Sequence, residues 1–241
     1  MPNLVGMPIV LGQDAFTSSA TQLHPLGTRG FTKDGRRFRY AQAGATTVAG
    51  SLYQSAAPLA NHLANTPPAV DSGAKSFVYT PGATGGAANL YAEGYMQVDT
   101  TPGNGYTYQV SGHGAITAST AFTLTLVDPI QVALTTSSRV GLIANPYKNV
   151  IVAATTVTAP AVGVSPCIIA SGEYGWLQTY GPASVLVNGT PGVGVGVVSS
   201  ATTAGAVDVA AVAAEINVRI LGRMAQVGVS GKNNFCFLTL D

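Results

Sequence analysis

Charge is what this sequence has least of. Asp, Glu, Lys and Arg make up 9% of its 241 residues, against roughly 25% in an ordinary soluble domain. An exterior built mainly for water is therefore excluded, and much of the surface is expected to lie against other copies or a larger assembly. Long apolar runs are missing too. A membrane-spanning helix needs roughly 20 mostly apolar residues. Gly205 to Val218 carries Asp208, Glu215 and Asn217, and Asn149 to Ala170 is broken by Thr155, Thr156, Thr158, Pro160, Ser165 and Pro166. The first thirty residues have neither a basic n-region nor a continuous apolar h-region, so synthesis in a cytoplasm is expected. A net charge of +1 supplies no global field for anions, so neither nucleic acid nor membrane is an expected partner.

The groups that usually carry chemistry are also few. The two cysteines, Cys167 and Cys236, sit in apolar runs and read as buried reduced thiols. There are three His (His24, His62, His113), three Glu and seven Asp. A Ser-His-Asp triad is defined in space and leaves no obligatory trace in sequence. The Gly-x-Ser-x-Gly elbow, Cys-x-x-Cys, His-x-x-x-His and His-Glu-x-x-His are all absent. Gly192-Val193-Gly194-Val195-Gly196 lacks the Lys-Ser/Thr and the following helix of a phosphate loop. Small residues there suit a close strand crossing or another subunit's backbone. No enzyme, metal or cofactor is expected.

What is present is a succession of short β signals. Ala121 to Val127 alternates Phe122, Leu124 and Leu126 with Thr123 and Thr125, which predicts a strand with one apolar face. Further strands are expected at 46–56, 76–80, 90–98, 106–110, 130–134, 140–143, 150–157, 176–180, 183–187, 193–198, 217–223, 225–229 and 234–240. Asn188-Gly189 is a hairpin signal. Ala206 to Ala214 has a helical composition, against which stand its valines and short length. Many short strands at close spacing predict an all-β protein of sandwich or barrel modules, with an extended arm over the first 28 residues. The length fits one large domain or two smaller ones. Composition divides the chain into an N-terminal arm with a basic hairpin (1–45), a middle β region (46–160) and a C-terminal β module (161–241).

The scarce charge is unevenly placed. Arg29, Lys33, Arg36, Arg37 and Arg39, five of the eleven basic residues, fall in one block with a single acid, Asp34. Asp34-Gly35 predicts the turn of a hairpin. Beyond it Phe38 and Tyr40 share one strand face, and Arg37 and Arg39 the other. A solvated hairpin is the plain reading. Mixed cations and rings also suit nucleic acid, but such modules are usually basic overall. Docking onto acidic groups of a protein partner is the reading favoured here.

Two stretches resemble a known group. One runs from Glu173 to Ala183 (Glu-Tyr-Gly-Trp-Leu-Gln-Thr-Tyr-Gly-Pro-Ala), followed by Ala204-Gly205-Ala206-Val207 and Ile220-Leu221-Gly222-Arg223. The other is Asp34 to Ala41, followed by Ala43-Gly44-Ala45 and Gly50. In this order they resemble the virion proteins of tailed bacteriophages, specifically head decoration (cement) proteins. That resemblance implies a non-enzymatic β protein, made in the host cytoplasm and carried on the capsid surface. Its partners would be the major capsid protein and itself, as a homotrimer bridging neighbouring capsid subunits. Capsid docking is then expected at Arg29, Lys33, Arg36, Arg37 and Arg39 with the preceding arm. Subunit contact is expected at Trp176, Tyr180, Gly192 and Gly194. A tail, neck or fibre protein is the nearest rival. A glycan-binding module using Tyr174, Trp176 and Tyr180 as a sugar platform is another, against which a place in the core is the favoured reading of Trp176.

Overall fold

The computed structural model describes residues 14–210 and 219–241; residues 1–13 of the arm and 211–218 of the Ala206–Ala214 segment lie outside them. The described residues form an all-β protein without an α-helix. Among the described residues no helix is long and apolar enough to cross a membrane. The described residues form two compact units, one of Pro58–Asn145, the other of residues 14–57, 146–210 and 219–241.

This division differs from the one composition suggests. The first and last described stretches share one unit because strands distant in sequence pair within it. Its early strands are β1 (Arg29–Phe31), β2 (Arg37–Gln42) and β3 (Leu52–Gln54). The inserted unit holds β4 (Ser76–Tyr79), β5 (Tyr95–Thr100), β6 (Thr107–His113), β7 (Phe122–Leu126) and β8 (Arg139–Ile143). The chain then continues with β9 (Ile151–Val152), β10 (Ala161–Val164), β11 (Tyr174–Val187), β12 (Gly196–Ser199), β13 (Val207–Val209), β14 (Gly222–Met224) and β15 (Lys232–Thr239).

The inserted unit is an antiparallel sheet ordered β4-β7-β6-β5-β8. In β7 the alternation of Phe and Leu with Thr places every second side chain inside, as expected. The apolar face packs under Val70, Tyr91, Ile116, Ile130 and Leu134, which come from the connections. The expected strand at 130–134 is irregular instead, touching Val70 by one bridge at Leu134. The strand expected from Leu90 begins only at Tyr95, because Asn89 and Glu93 take positive φ values of 58° and 64°.

Polar groups in this core are paired. His62 is 0% exposed. Its Nε2 donates to the Thr84 carbonyl at 2.7 Å, which leaves Nδ1 to accept from the Tyr91 hydroxyl. His113 holds the opposite tautomer: Nε2 accepts from the Tyr91 amide at 3.0 Å and Nδ1 donates to the Gly114 carbonyl at 2.6 Å. Tyr79 donates to the His62 carbonyl at 3.0 Å and accepts from Asn65 at 2.8 Å. Burial pushes the Tyr79 phenol up to about 12 and raises that of Tyr91.

The larger sheet closes on itself. Along one path the order is β13-β12-β14-β15-β11, and a parallel pairing of Val187 with Val207 joins β13 back to β11. The result is a five-stranded barrel filled by Val185, Val187, Val197, Val207, Leu221, Met224, Cys236 and Leu238. Asn188-Gly189 makes a turn, but not the expected hairpin: β12 pairs with β13 and β14 rather than with β11. Val207–Val209 is strand, so the described part of the candidate helix is extended. Cys236 lies in the barrel core, where burial raises its thiol to about 11; Cys167 is only partly buried, and both are free.

The strands expected at 176–180 and 183–187 are one strand, β11. It continues through Gly181-Pro182 because its partner changes there. Gly181, at φ 86°, takes a backbone conformation that L side chains rarely adopt. Residues 174–180 pair with β2, with a register shift after Gln178, and residues 180–187 pair with β15.

His62→Ala is expected to destabilise the 58–145 unit by about 2–4 kcal/mol, because it leaves a cavity and strands the Tyr91 hydroxyl and Thr84 carbonyl. Chemical denaturation of the full chain, followed by tyrosine fluorescence and circular dichroism, measures the loss.

Candidate binding surface

The basic block forms the predicted hairpin, with Phe31 opposite Arg37 and Arg29 opposite Arg39. One face is core. Phe38 and Tyr40 pack with Leu26 and Trp176. The Tyr40 and Trp176 rings meet edge to face at 5.1 Å, and His24 stands 5.2 Å from Tyr40. Gly30 makes room for the indole: a Cβ there would come within 2.9 Å of Trp176 Cζ3. Trp176 is 3% exposed, which overturns its expected role in subunit contact. It also removes the sugar platform of Tyr174, Trp176 and Tyr180, since Trp176 lies inside while Tyr180 points out. The indole is the largest apolar side chain in the sequence, and the hairpin folds over it.

The described part of the arm, from Asp14 onward, lies on this same face. Ser19 and Tyr174 exchange backbone hydrogen bonds of 2.9 Å in each direction, and the Leu23 amide donates to the Tyr40 hydroxyl at 3.1 Å.

The other face carries the arginines, which fare differently. Arg39 is tied down. Its guanidinium grips Asp241 with Nη2–Oδ1 at 2.6 Å and Nε–Oδ2 at 2.8 Å, while Nη1 donates to the Gly27 carbonyl at 2.9 Å. Thr179 donates to the same carboxylate at 3.1 Å. These hydrogen bonds, the one from Arg39 foremost, hold the Asp241 carboxyl below its ordinary value against the opposing effect of burial. Arg36 pairs with Asp34 at 2.9 Å and extends over the Phe16 and Phe38 rings. These are the two ion pairs among the described residues. Arg29, Lys33 and Arg37 remain exposed. Of the five expected docking cations, Arg39 is thus committed to the fold.

Arg37 sits 4.5 Å above the Tyr180 ring. From Tyr180 the exposed face continues along the barrel: Tyr180 opposes Thr239, Pro182 opposes Phe237, and Ser184 opposes Phe235. Arg223 opposes Phe237 from the other side. Phe31, Tyr180, Phe235 and Phe237 are 51%, 38%, 44% and 50% exposed, an unusual density of rings facing water. Gly192 and Gly194 lie in the turn before β12. A Cβ at Gly194 would meet nothing within 4 Å, so no strand crossing explains that glycine.

Phe235, Phe237 and Arg223 are the residues that sequence reasoning missed. The signal was present in Phe-Cys-Phe, where an inward Cys236 forces both rings outward on a strand of period two. Among the described residues no group of three or more His, Cys, Asp or Glu stands ready to hold a metal ion. Comparison with protein-family models, with curated proteins and with solved structures finds no match.

Asp241→Asn is expected to lower stability at pH 7 by about 1–2 kcal/mol. The folded state depresses this carboxyl's pKa, so its contribution is complete above the ordinary value of 3.8 and fades as pH falls through the folded value. Thermal melts from pH 7 to pH 2 should show the variant and the parent converging at the acid end. Gly30→Ala is expected to cost about 1–3 kcal/mol through overpacking against Trp176, with the tryptophan fluorescence maximum shifting to longer wavelength.

Proposed function

We propose that this chain is a structural protein of a tailed-bacteriophage virion that binds the outer surface of the capsid and joins neighbouring subunits. It acts by binding alone, as several copies, with a trimer the favoured assembly. The observation that carries this reading is the pairing of scarce charge with exposed large apolar side chains. Charged residues are 9% of the sequence, and rings and valines stand out in water on strands and turns: Phe31, Val48, Val157, Val193, Val227, Phe235 and Phe237 are each more than two-fifths exposed. Interface centres are depleted in charge and enriched in aromatic residues and Arg. Burying such surface across a joint between subunits would stabilise the joint. Modest affinity per contact becomes strong attachment when one oligomer engages several sites at once.

The resemblance of the Glu173–Ala183 and Asp34–Ala41 stretches to decoration proteins supports the same reading. In the fold these two stretches are neighbours, because β2 and β11 form one ladder from Gln42 opposite Tyr174 to Arg37 opposite Tyr180.

The full chain at micromolar concentration is expected to co-sediment with capsids assembled from the major capsid protein of the same phage genome, saturating at a fixed ratio. It should also raise the temperature at which those capsids fall apart. Absence of the chain from the capsid pellet would refute the reading.

A further inference from the structure

We infer that the barrel's outer wall is the docking surface, running from Phe31 across Arg37 and Tyr180 to Phe237, Phe235 and Arg223. Its occupant is a protein patch with an apolar centre and a rim of carboxylates. This rests on the capsid-binding reading above and specifies which part of the chain touches the capsid subunit.

Three observations carry it. The first is continuity. Cross-strand register puts Phe31 opposite Arg37, Arg37 opposite Tyr180, and Arg223 opposite Phe237. Partners in register share a face, so strands distant in sequence build one surface. The second is unmatched charge. The two ion pairs of the described residues use Arg36 and Arg39. Arg37 and Arg223 stay exposed, and none of the six wall residues is an acid. A partner's carboxylates complete them. The third is the kind of ring. Phe235 and Phe237 meet edge to face at 84° and 5.7 Å, so they do not offer two parallel platforms for successive bases. Arg37 already covers a face of Tyr180. Phenylalanines offer a sugar's hydroxyls no hydrogen bond. What remains complementary is another protein's apolar surface.

Capsid co-sedimentation at low and high salt tests this with Phe235→Ser/Phe237→Ser, with Arg37→Glu/Arg223→Glu, and with Val78→Ser/Val127→Ser as a control at exposed positions off the wall. The phenylalanine pair is expected to lose at least about tenfold in apparent affinity at both salt concentrations. The arginine pair should lose about tenfold at low salt and much less at high salt, where the rim contacts are already screened. The control should bind as the parent does. If the parent binds and both wall variants bind equally well, the wall is not the dock, while the capsid reading stands. If the parent does not bind, both are overturned. Two further results would overturn the protein occupant assigned here. One is binding of a single-stranded DNA oligonucleotide that the wall variants abolish. The other is self-association, seen by sedimentation velocity, that they abolish while capsid binding persists. Each variant must keep the parent's near-ultraviolet circular dichroism. Should the double phenylalanine variant unfold, Phe237→Lys alone carries the same expectation.

Discussion

The backbone of β11 is the element on which the larger unit depends. A strand has two rows of hydrogen-bonding groups, and each buried group left unpaired is costly. Residues 174–187 are bonded to β2 and then β15 along their length, and they also touch β10 and β13. The first half therefore belongs to the sheet that carries the basic hairpin, and the second half is a stave of the barrel. Removing this strand would open the barrel and detach the hairpin together. The Gly181-Pro182 step makes the sharing possible. Pro cannot donate to a ladder and is tolerated at irregular positions; here it stands where one partner strand hands over to the next.

Much of this was legible in the sequence, and the exceptions have physical reasons. The Asp34-Gly35 hairpin and the split of Phe38 and Tyr40 from Arg37 and Arg39 follow from local turn chemistry and the two-residue period, and both appear as expected. The alternation in β7 likewise reports one buried face. The barrel was less readable because its wall exposes rings: in Phe235-Cys236-Phe237 both faces are apolar, and only the burial expected of Cys236 tells inside from outside. The pairing of the chain's first and last thirds was invisible, since register between distant strands is set by tertiary packing. Gly-Pro within β11 read as a break because that dipeptide usually punctuates. A core place for Trp176 was legible in its size, but Gly30, which makes room for it, is far away in sequence.

Scarce charge takes on a different meaning once its placement is known. Ion pairs among exposed residues add little stability, and this fold makes sparing use of them. The Asp241 carboxylate clamps the hairpin to the end of β15 from a partly buried position, and Asp34 caps the hairpin turn through Arg36. The two acids nearest the basic block are thus both occupied inside the chain. The excess of cations on the exposed face comes from the clustering of five basic residues in one block with a single acid, and the two ion pairs leave Arg29, Lys33 and Arg37 exposed.

Arg37 and Arg39 make the point within one strand. They lie two residues apart on the same face of β2, so local sequence gives them the same environment. Arg39 meets a carboxylate, a carbonyl and the closing strand, and becomes part of the scaffold. Arg37 meets the face of Tyr180 and, among the described residues, forms no ion pair. A guanidinium resting on a ring has already lost part of the rotamer freedom that a binding partner would otherwise have to remove. The clamp at Arg39 fixes the strand from which it projects. Preorganisation of this kind strengthens binding by lowering its entropic cost rather than by adding contacts. The structural arginine therefore serves the exposed one: the pair that holds the hairpin on the barrel also sets the position of the cation that faces outward.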